Sequence, residues 1–347
     1  MAERPVTIKE IADILQIATS TVSRALHDHP SIGKEMKAKI KKLAADLNYQ
    51  PNHTAISFQK GKTYTIGVII PELSEIFFSS AISAIEETAY ARNYTMLLAQ
   101  SHDSEAKEKQ LIEKMKKQRV DGLLISVSKS TRSFEHFESL KKFNIPTVFF
   151  DRIPPIQEIH SVACSIETGT VEAVNYLLKR GHRVIGMING PSTLLASKER
   201  KAGFVEALVR NRLKFDPTLV AESDLTEEGS IEALNYLLDN KRQPSAIVTF
   251  NDYVALYAMK YMRQSKIKNG KEIDFVSYAN LPLLDYLESR PVASVEQFPA
   301  LQARKATDTL LDLISHPGRT QDVQAFYKIV VESKLVENNN LTGKLHK

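Results

Sequence analysis

The stretch TSTVSRAL, residues 19–26, holds four short hydroxyl side chains and an arginine within eight residues. Thr19, Ser20, Thr21 and Ser23 are indifferent helix formers, because their oxygens compete for nearby backbone groups. Val22, Ala25 and Leu26 nevertheless fall at i, i+3 and i+4, which gives a helix one apolar stripe. Ser20 and Arg24 then share a different face. A hydroxyl donates and accepts, and a guanidinium donates in a fixed fork, so this face suits a polar, anionic partner outside the protein. Catalytic motifs give no competing signal. The chain has no G-x-G-x-x-G, no H-E-x-x-H and no cysteine pair. KGKT (60–63) copies the end of a phosphate loop, but Ile56 stands where that loop needs its first glycine. A binding protein is expected, with no catalytic residue, cofactor or metal.

The elements around that stretch read as a small helical unit. Thr7 and Glu10 in TIKE have the capping-box spacing that opens a first helix, with Ile8, Ile11, Ala12 and Leu15 facing inward. QIA (16–18) makes a turn, TSTVSRALHD is the second helix, and HPSIG breaks it. A third helix, from about Lys34 to Leu47, turns Met36, Ile40, Leu43 and Leu47 inward and its lysines outward. Two helices across a three-residue turn, closed by a third, make the helix-turn-helix arrangement. Charge agrees with it: residues 1–62 hold ten Lys and Arg against six acids, so +4 of the chain's net +5 lies there. A basic head on a near-neutral body is what nucleic-acid binding leaves in a sequence, although a solvated basic face alone would look the same.

From Tyr64 onward short β-branched runs alternate with amphipathic stretches. Strands at 65–70, 95–100, 121–126 and 147–151 alternate with helices near 77–92, 105–118 and 134–143. A second series follows, with strands at 184–188, 219–223, 246–250 and 275–279 and helices near 197–211, 228–239 and 252–264. Such alternation predicts parallel sheets with right-handed crossovers. Two successive series predict an α/β core of two doubly wound lobes, with a ligand between them at the carboxyl ends of the strands. The 347 residues, 43% apolar and 25% charged, are enough for a head and such a core. No apolar run reaches the length of a membrane span, and MAERPVTIKE has no apolar signal core, so a cytoplasmic protein is expected. The single cysteine, Cys164, lies among apolar neighbours and reads as a buried small hydrophobe.

The segment VTIKEIADILQIATSTVSRALHDHPSIGKEMKAKIKKLAADLNYQPN resembles the DNA-binding head of the LacI/GalR (lactose repressor) family of bacterial transcription regulators. TVSRAL and LNYQPN are its signatures, and the similarity extends over nearly the whole chain. The resemblance implies a head over 1–50, a hinge helix and linker over 51–62, and a tail over 341–347. Between them, over 63–340, lies a two-lobed effector-binding and dimerisation core like that of periplasmic sugar-binding proteins. It implies that Thr19, Ser20 and Arg24 reach base edges, Arg24 being able to engage two acceptors of guanine. Thr7, Thr21, Ser23 and Tyr49 match positions that grip phosphates. The hinge begins at Asn52; in the family it forms on operator DNA and wedges side chains into the minor groove, here Ala55 and Phe58. Phe58 stands where leucine is usual, and packing of its ring on the core is the competing reading. Gln16 replaces the usual turn glycine, at roughly 1 kcal/mol for a left-handed residue. Ala18 replaces the usual hydroxyl cap, at about 1 kcal/mol.

In the core the resemblance assigns effector contacts to Phe77, Asp151, Arg200, Asn251, Asn280 and Gln297. An aromatic wall with acid, amide and guanidinium groups suits a hydroxyl-rich ligand. Where many sugar-binding members carry an acid, YAN (278–280) offers an amide. Simpler readings compete: Asp151–Arg152 as a turn ion pair, Asn251–Asp252 as a helix cap. The function implied is a homodimeric, allosteric repressor of carbohydrate-use genes, nucleoid-associated, binding palindromic double-stranded operator DNA and a sugar or sugar derivative, without membrane contact. A solute-binding protein without DNA function is the alternative, and the basic head argues against it. VENNNLTGKLHK has no leucine heptad, so no tetramerising coil is expected.

Overall fold

The computed structural model describes residues 6–50, 62–265, 273–316 and 326–338. The chain divides into two compact units, Met1–Thr63 and Tyr64–Lys347.

In the first unit, helices α1 (Ile8–Leu15), α2 (Thr19–Leu26) and α3 (Lys34–Asp46) close on a core of Ile11, Ala12, Val22, Ala25, Ile40 and Ala44. The Thr7 hydroxyl accepts from the Glu10 amide at 3.3 Å while the Glu10 carboxylate takes the Thr7 amide at 2.6 Å, completing the capping box. Gln16 ends α1 at φ 52°, in the left-handed region where glycine is usual. Ala18 precedes α2 without a side-chain cap. Met36 departs from its expected inward place: it is 38% exposed, while Ala44 is buried and Ile32, just before α3, packs on the core. Burying Ile32 closes that end of the small core, so the first turn of α3 has nothing to cover.

The second unit is built on two six-stranded sheets. The first lobe orders its strands β11-β5-β4-β3-β1-β2. They are β1 (Thr65–Ile70), β2 (Thr95–Gln100), β3 (Gly122–Ile125), β4 (Thr147–Phe150), β5 (His160–Cys164) and β11 (Lys328–Val331). The second orders them β12-β10-β9-β8-β6-β7. These are β6 (Ile185–Asn189), β7 (Val220–Glu222), β8 (Ala246–Thr249), β9 (Asp274–Tyr278), β10 (Ala293–Glu296) and β12 (Lys334–Glu337). All pairs are parallel except β10–β12. Five of six β1 residues are buried, as a strand covered on both faces requires. The first lobe carries helices α4 (Ile76–Ala91), α5 (Glu105–Lys117) and α6 (Glu135–Lys142). The second carries α7 (Ile166–Lys179), α8 (Leu195–Arg210), α9 (Glu227–Leu238) and α10 (Asp252–Gln264).

The lobes are not two successive series. The chain passes between them three times, at 164–166, 296–299 and 331–334. Helix α11 (Pro299–Ser315) returns to the first lobe, where Ala303, Ala306, Leu310 and Leu311 share a core with Ile66, Val68 and Phe78. Two of the passages are stitched together. The Ser333 amide donates to Ser165 Oγ at 2.8 Å, and Ser333 Oγ donates to the Ser165 carbonyl at 3.0 Å.

Candidate DNA interface and ligand cleft

In the head, Val22 and Ala25 tie α2 to the core, which leaves Thr19, Ser20 and Arg24 exposed on its far side. Among the described residues, the side chains of Thr19, Ser20, Thr21, Ser23 and Arg24 make no hydrogen bond within the head, so their donors and acceptors are unspent. Thr21, Ser23 and Tyr49 are half-buried, and burial raises the Tyr49 phenol above its ordinary pKa. The Thr7 hydroxyl is occupied, donating to Glu10 at 3.0 Å. Lys37 and Lys41 hold the loop after α2, donating to the Asp28 carbonyl at 2.9 Å and to its carboxylate at 2.7 Å. Asn52, Ala55 and Phe58 lie outside the described residues, as does the tail.

The second unit contains a cleft between its lobes, lined by side chains from both sheets and the helices behind them. Phe77, Asp151, Arg200, Asn251 and Gln297 all line it, so the structure brings five of the six expected contacts to one place. Asn280 is the exception. Its side-chain amide donates to Glu296 at 3.0 Å, and Ala279, at φ 96°, takes its place on the wall. Glu75, Arg152 and Cys164 line the cleft as well.

Asp151 sits just past β4 at φ 59°, a left-handed turn that acidic residues tolerate. Burial pushes its carboxyl up to about 6, and nearby Glu75 adds to that, against the pull of Arg152 and Arg200. Asp151–Arg152 is not a turn ion pair. Arg152 reaches instead to Asp103 at 2.7 Å and Glu75 at 3.6 Å. Arg200, from α8, packs between the rings of Phe250 and Tyr278, 4.0 and 4.3 Å from their centroids. Asn251 caps α10, accepting from the Val254 amide at 3.0 Å, so the helix-cap reading holds while the residue also faces the cleft. The Cys164 thiol is pushed up to about 12, chiefly by burial, which fits an inert small hydrophobe.

Sequence reasoning missed what braces these groups. Asp252 is fully buried, accepting from Ser277 Oγ, from Ser294 Oγ at 2.7 Å and from the Leu281 amide at 2.8 Å. It fixes the 279–281 loop against β10, and burial pushes its carboxyl up to about 6. The lobes are also bonded directly. Thr193 Oγ1 donates to the Lys129 carbonyl at 2.6 Å, and Lys129 Nζ donates to the Asp224 carbonyl at 2.9 Å.

An unspent hydrogen-bonding helix face on a basic three-helix head, followed by a two-lobed cleft, has known counterparts. Residues 7–52 match the bacterial regulatory proteins of the lacI family, and residues 63–332 match the periplasmic binding proteins and sugar binding domain of the LacI family. The chain belongs to the LacI family. It is a DNA-binding transcription regulator. The transcriptional repressor PurR of Vibrio atlanticus is 27% identical over 96% of this chain and 99% of its own. The repressor CytR of Escherichia coli is 29% identical over 89% of this chain and 90% of its own. Among solved structures, the Lac repressor dimer bound to operator and the anti-inducer ONPF superposes with a TM-score of 0.82. It is 24% identical, over 97% of this chain and 99% of that one. A complex of the transcriptional regulator CelR with cellobiose gives 0.71, at 24% identity over 96% and 98%. Both share the LacI-type fold. Among the described residues no helix is long and apolar enough to cross a membrane.

Proposed function

We propose that this chain represses transcription as a homodimer, reading a palindromic operator and responding to a small polar effector, a sugar or sugar derivative, held between its lobes. The carrying observation is the exposed, unspent face of Thr19, Ser20 and Arg24 on α2. Arg24 addresses guanine, and the two hydroxyls read what lies close in the major groove. Thr21, Ser23 and Tyr49 hold phosphates, as does Thr7 beside the amino end of α1, and fix register. Asn52, Ala55 and Phe58 belong to a hinge that enters the minor groove, where a Phe58 wedge favours a deformable pyrimidine–purine step.

Relatives named as repressors support the regulatory half of this reading, and a relative solved with cellobiose supports the effector half. Effector contacts fall to Phe77, Asp151, Arg200, Asn251 and Gln297, with Asn280 bracing the loop beside them. A ligand touching both lobes stabilises one closure over another, and the two heads follow. Such a protein works on nucleoid DNA in the cytoplasm and catalyses nothing. The test is selection of bound duplexes from a random pool by the full chain. A two-fold symmetric site should emerge, and retention no better than that of scrambled DNA would overturn the proposal in favour of a solute-binding protein.

A further inference from the structure

The chain passes from the second lobe back to the first at 296–299, and Phe298 makes the turn. Its φ is 53° and its ψ 58°, in the left-handed region that a bulky side chain disfavours. Such a conformation persists only where its surroundings hold it, and here both lobes do. From the second lobe, Glu296 at the end of β10 accepts the Phe298 amide on Oε1 at 2.7 Å. From the first, the Phe298 ring packs on the core that α11 covers, and its carbonyl accepts from the Gln302 amide at 3.0 Å. The Gln302 side chain, fully buried, donates to the Gln297 carbonyl at 2.7 Å. The other two passages are stitched to each other by Ser165 and Ser333, whereas this one is held by Glu296 and Gln302.

The second oxygen of the same carboxylate has a different partner. Oε2 accepts from the Asn280 side-chain amide at 3.0 Å. Ala279 and Asn280, at φ 96° and 49°, form the loop whose Ala279 lines the cleft beside Gln297. One carboxylate, through two charge-assisted bonds, thus ties a loop of the cleft wall to the left-handed turn between the lobes. A residue held in an unfavourable well leaves it when the hold is released, and a change of φ at one position swings everything beyond it. We infer that Glu296 is the positioning residue of lobe closure: it keeps Phe298 left-handed and couples that turn to Asn280. A ligand that draws Asn280 away loosens the carboxylate, and the lobes change their angle. This last step takes the cleft as the effector site; the hold on Phe298 does not depend on it.

Spin labels at Lys107→Cys and Glu228→Cys, exposed positions on α5 and α9, read the distance between the lobes. The labelled full chain is diluted with unlabelled chain, so that pairs within one chain are measured, and the unaltered chain controls for labelling of the buried Cys164. Without ligand, Glu296→Ala should shift or broaden that distance. It should change affinity for the selected operator about fivefold or more and leave binding to scrambled duplex as it was. Glu296→Gln, whose amide oxygen still accepts from Phe298, should stay close to the parent in both. Asn280→Ala should reproduce part of the effect, and the double variant should go no further than Glu296→Ala, because both act through one carboxylate. Glu296→Met, similar in length but without an acceptor, replaces the alanine variant if that one fails to fold. A lower melting point with the parent's distance and operator affinity makes Glu296 a brace and overturns the inference. Additive effects of Glu296→Ala and Asn280→Ala overturn the coupling. A shifted distance with unchanged operator affinity supports Glu296 as the residue that sets the passage, and counts instead against control of DNA binding by lobe closure.

Discussion

The Thr193 hydroxyl donates to the main-chain oxygen of Lys129 at 2.6 Å, fastening a second-lobe side chain to a first-lobe backbone. Lys129 is itself anchored on the cleft side, because its amide donates at 2.8 Å to the Asp103 oxygen that also receives Arg152. Polar contacts therefore run from Glu75 and Arg152 in the cleft, through Asp103, to the bonds that hold the lobes together. The cleft residue Arg152 and the bonds between the lobes thus share Asp103, so a ligand that shifts Arg152 would act on lobe closure through it.

Lys129→Ala removes the bond to the Asp224 carbonyl while keeping the Thr193 bond to its main chain. A hydrogen bond from a charged donor contributes about 1.5 kcal/mol or more, so effector affinity should fall roughly tenfold. Small-angle scattering should show a more open core. Unchanged affinity and scattering would mean that the contact is incidental to closure.

Arg24→Ala should cost roughly 1–3 kcal/mol on the selected operator and relax preference at one base pair. Competition with scrambled duplex checks it. An equal loss on both would reduce Arg24 to a phosphate contact.

Asp151 and Asp252 both have carboxyls raised from 3.8 to about 6 in the folded chain. A raised acid binds more protons folded than unfolded, so the stability it contributes is complete below about pH 4 and lost as pH rises through 6. Asp151→Asn removes its share. The variant should melt higher than the parent at pH 7, by about 1–2 kcal/mol given the partly open cleft, and the gap should close below pH 4. It should also lose effector binding, an exchange of function for stability. Melting curves across pH 3.5–8 decide it.

Gly203 is where α8 crosses α7 at close range. A Cβ there would stand 2.3 Å from the Glu167 carbonyl oxygen, a backbone atom with no rotamer to yield. Gly203→Ala should lower stability by about 1–3 kcal/mol and the melting point by several degrees. An unchanged melting point would show that the helices separate freely.

Most of the fold was legible because each element has local causes. Thr7 and Glu10 set the start of α1, and alternating apolar strands and amphipathic helices set most of both sheets. What sequence periodicity could not give was lobe membership. Nothing local in residues 299–315 says which of two similar sheets the helix will cover, since that depends on contacts with residues such as Ile66 and Phe78 far away in the chain. The cleft divides in the same way. Asp151, Arg200 and Asn251 stand at strand ends or behind them and were found by resemblance. The ties of Arg152 to Asp103 and of Asp252 to Ser294 span loops that carry no spacing signal. Asn280 stands one residue past the cleft wall, because the left-handed turn at Ala279 decides which side chain faces the cleft.

The three passages between lobes have a consequence for the order of synthesis. The ribosome delivers the chain from its amino end at roughly 5–20 residues per second. Residues 6–50 carry their own core and can close as soon as they emerge. The first lobe cannot, since its sheet needs β11 and its apolar face needs α11, both made after the whole second lobe except β12. A nascent chain therefore displays a finished DNA-reading head above an unfinished sensor whose apolar face is uncovered. A premature stop between residues 50 and 298 leaves that condition permanent: a folded head on a body that lacks α11 and β11, cannot answer the effector and must be held by chaperones or degraded.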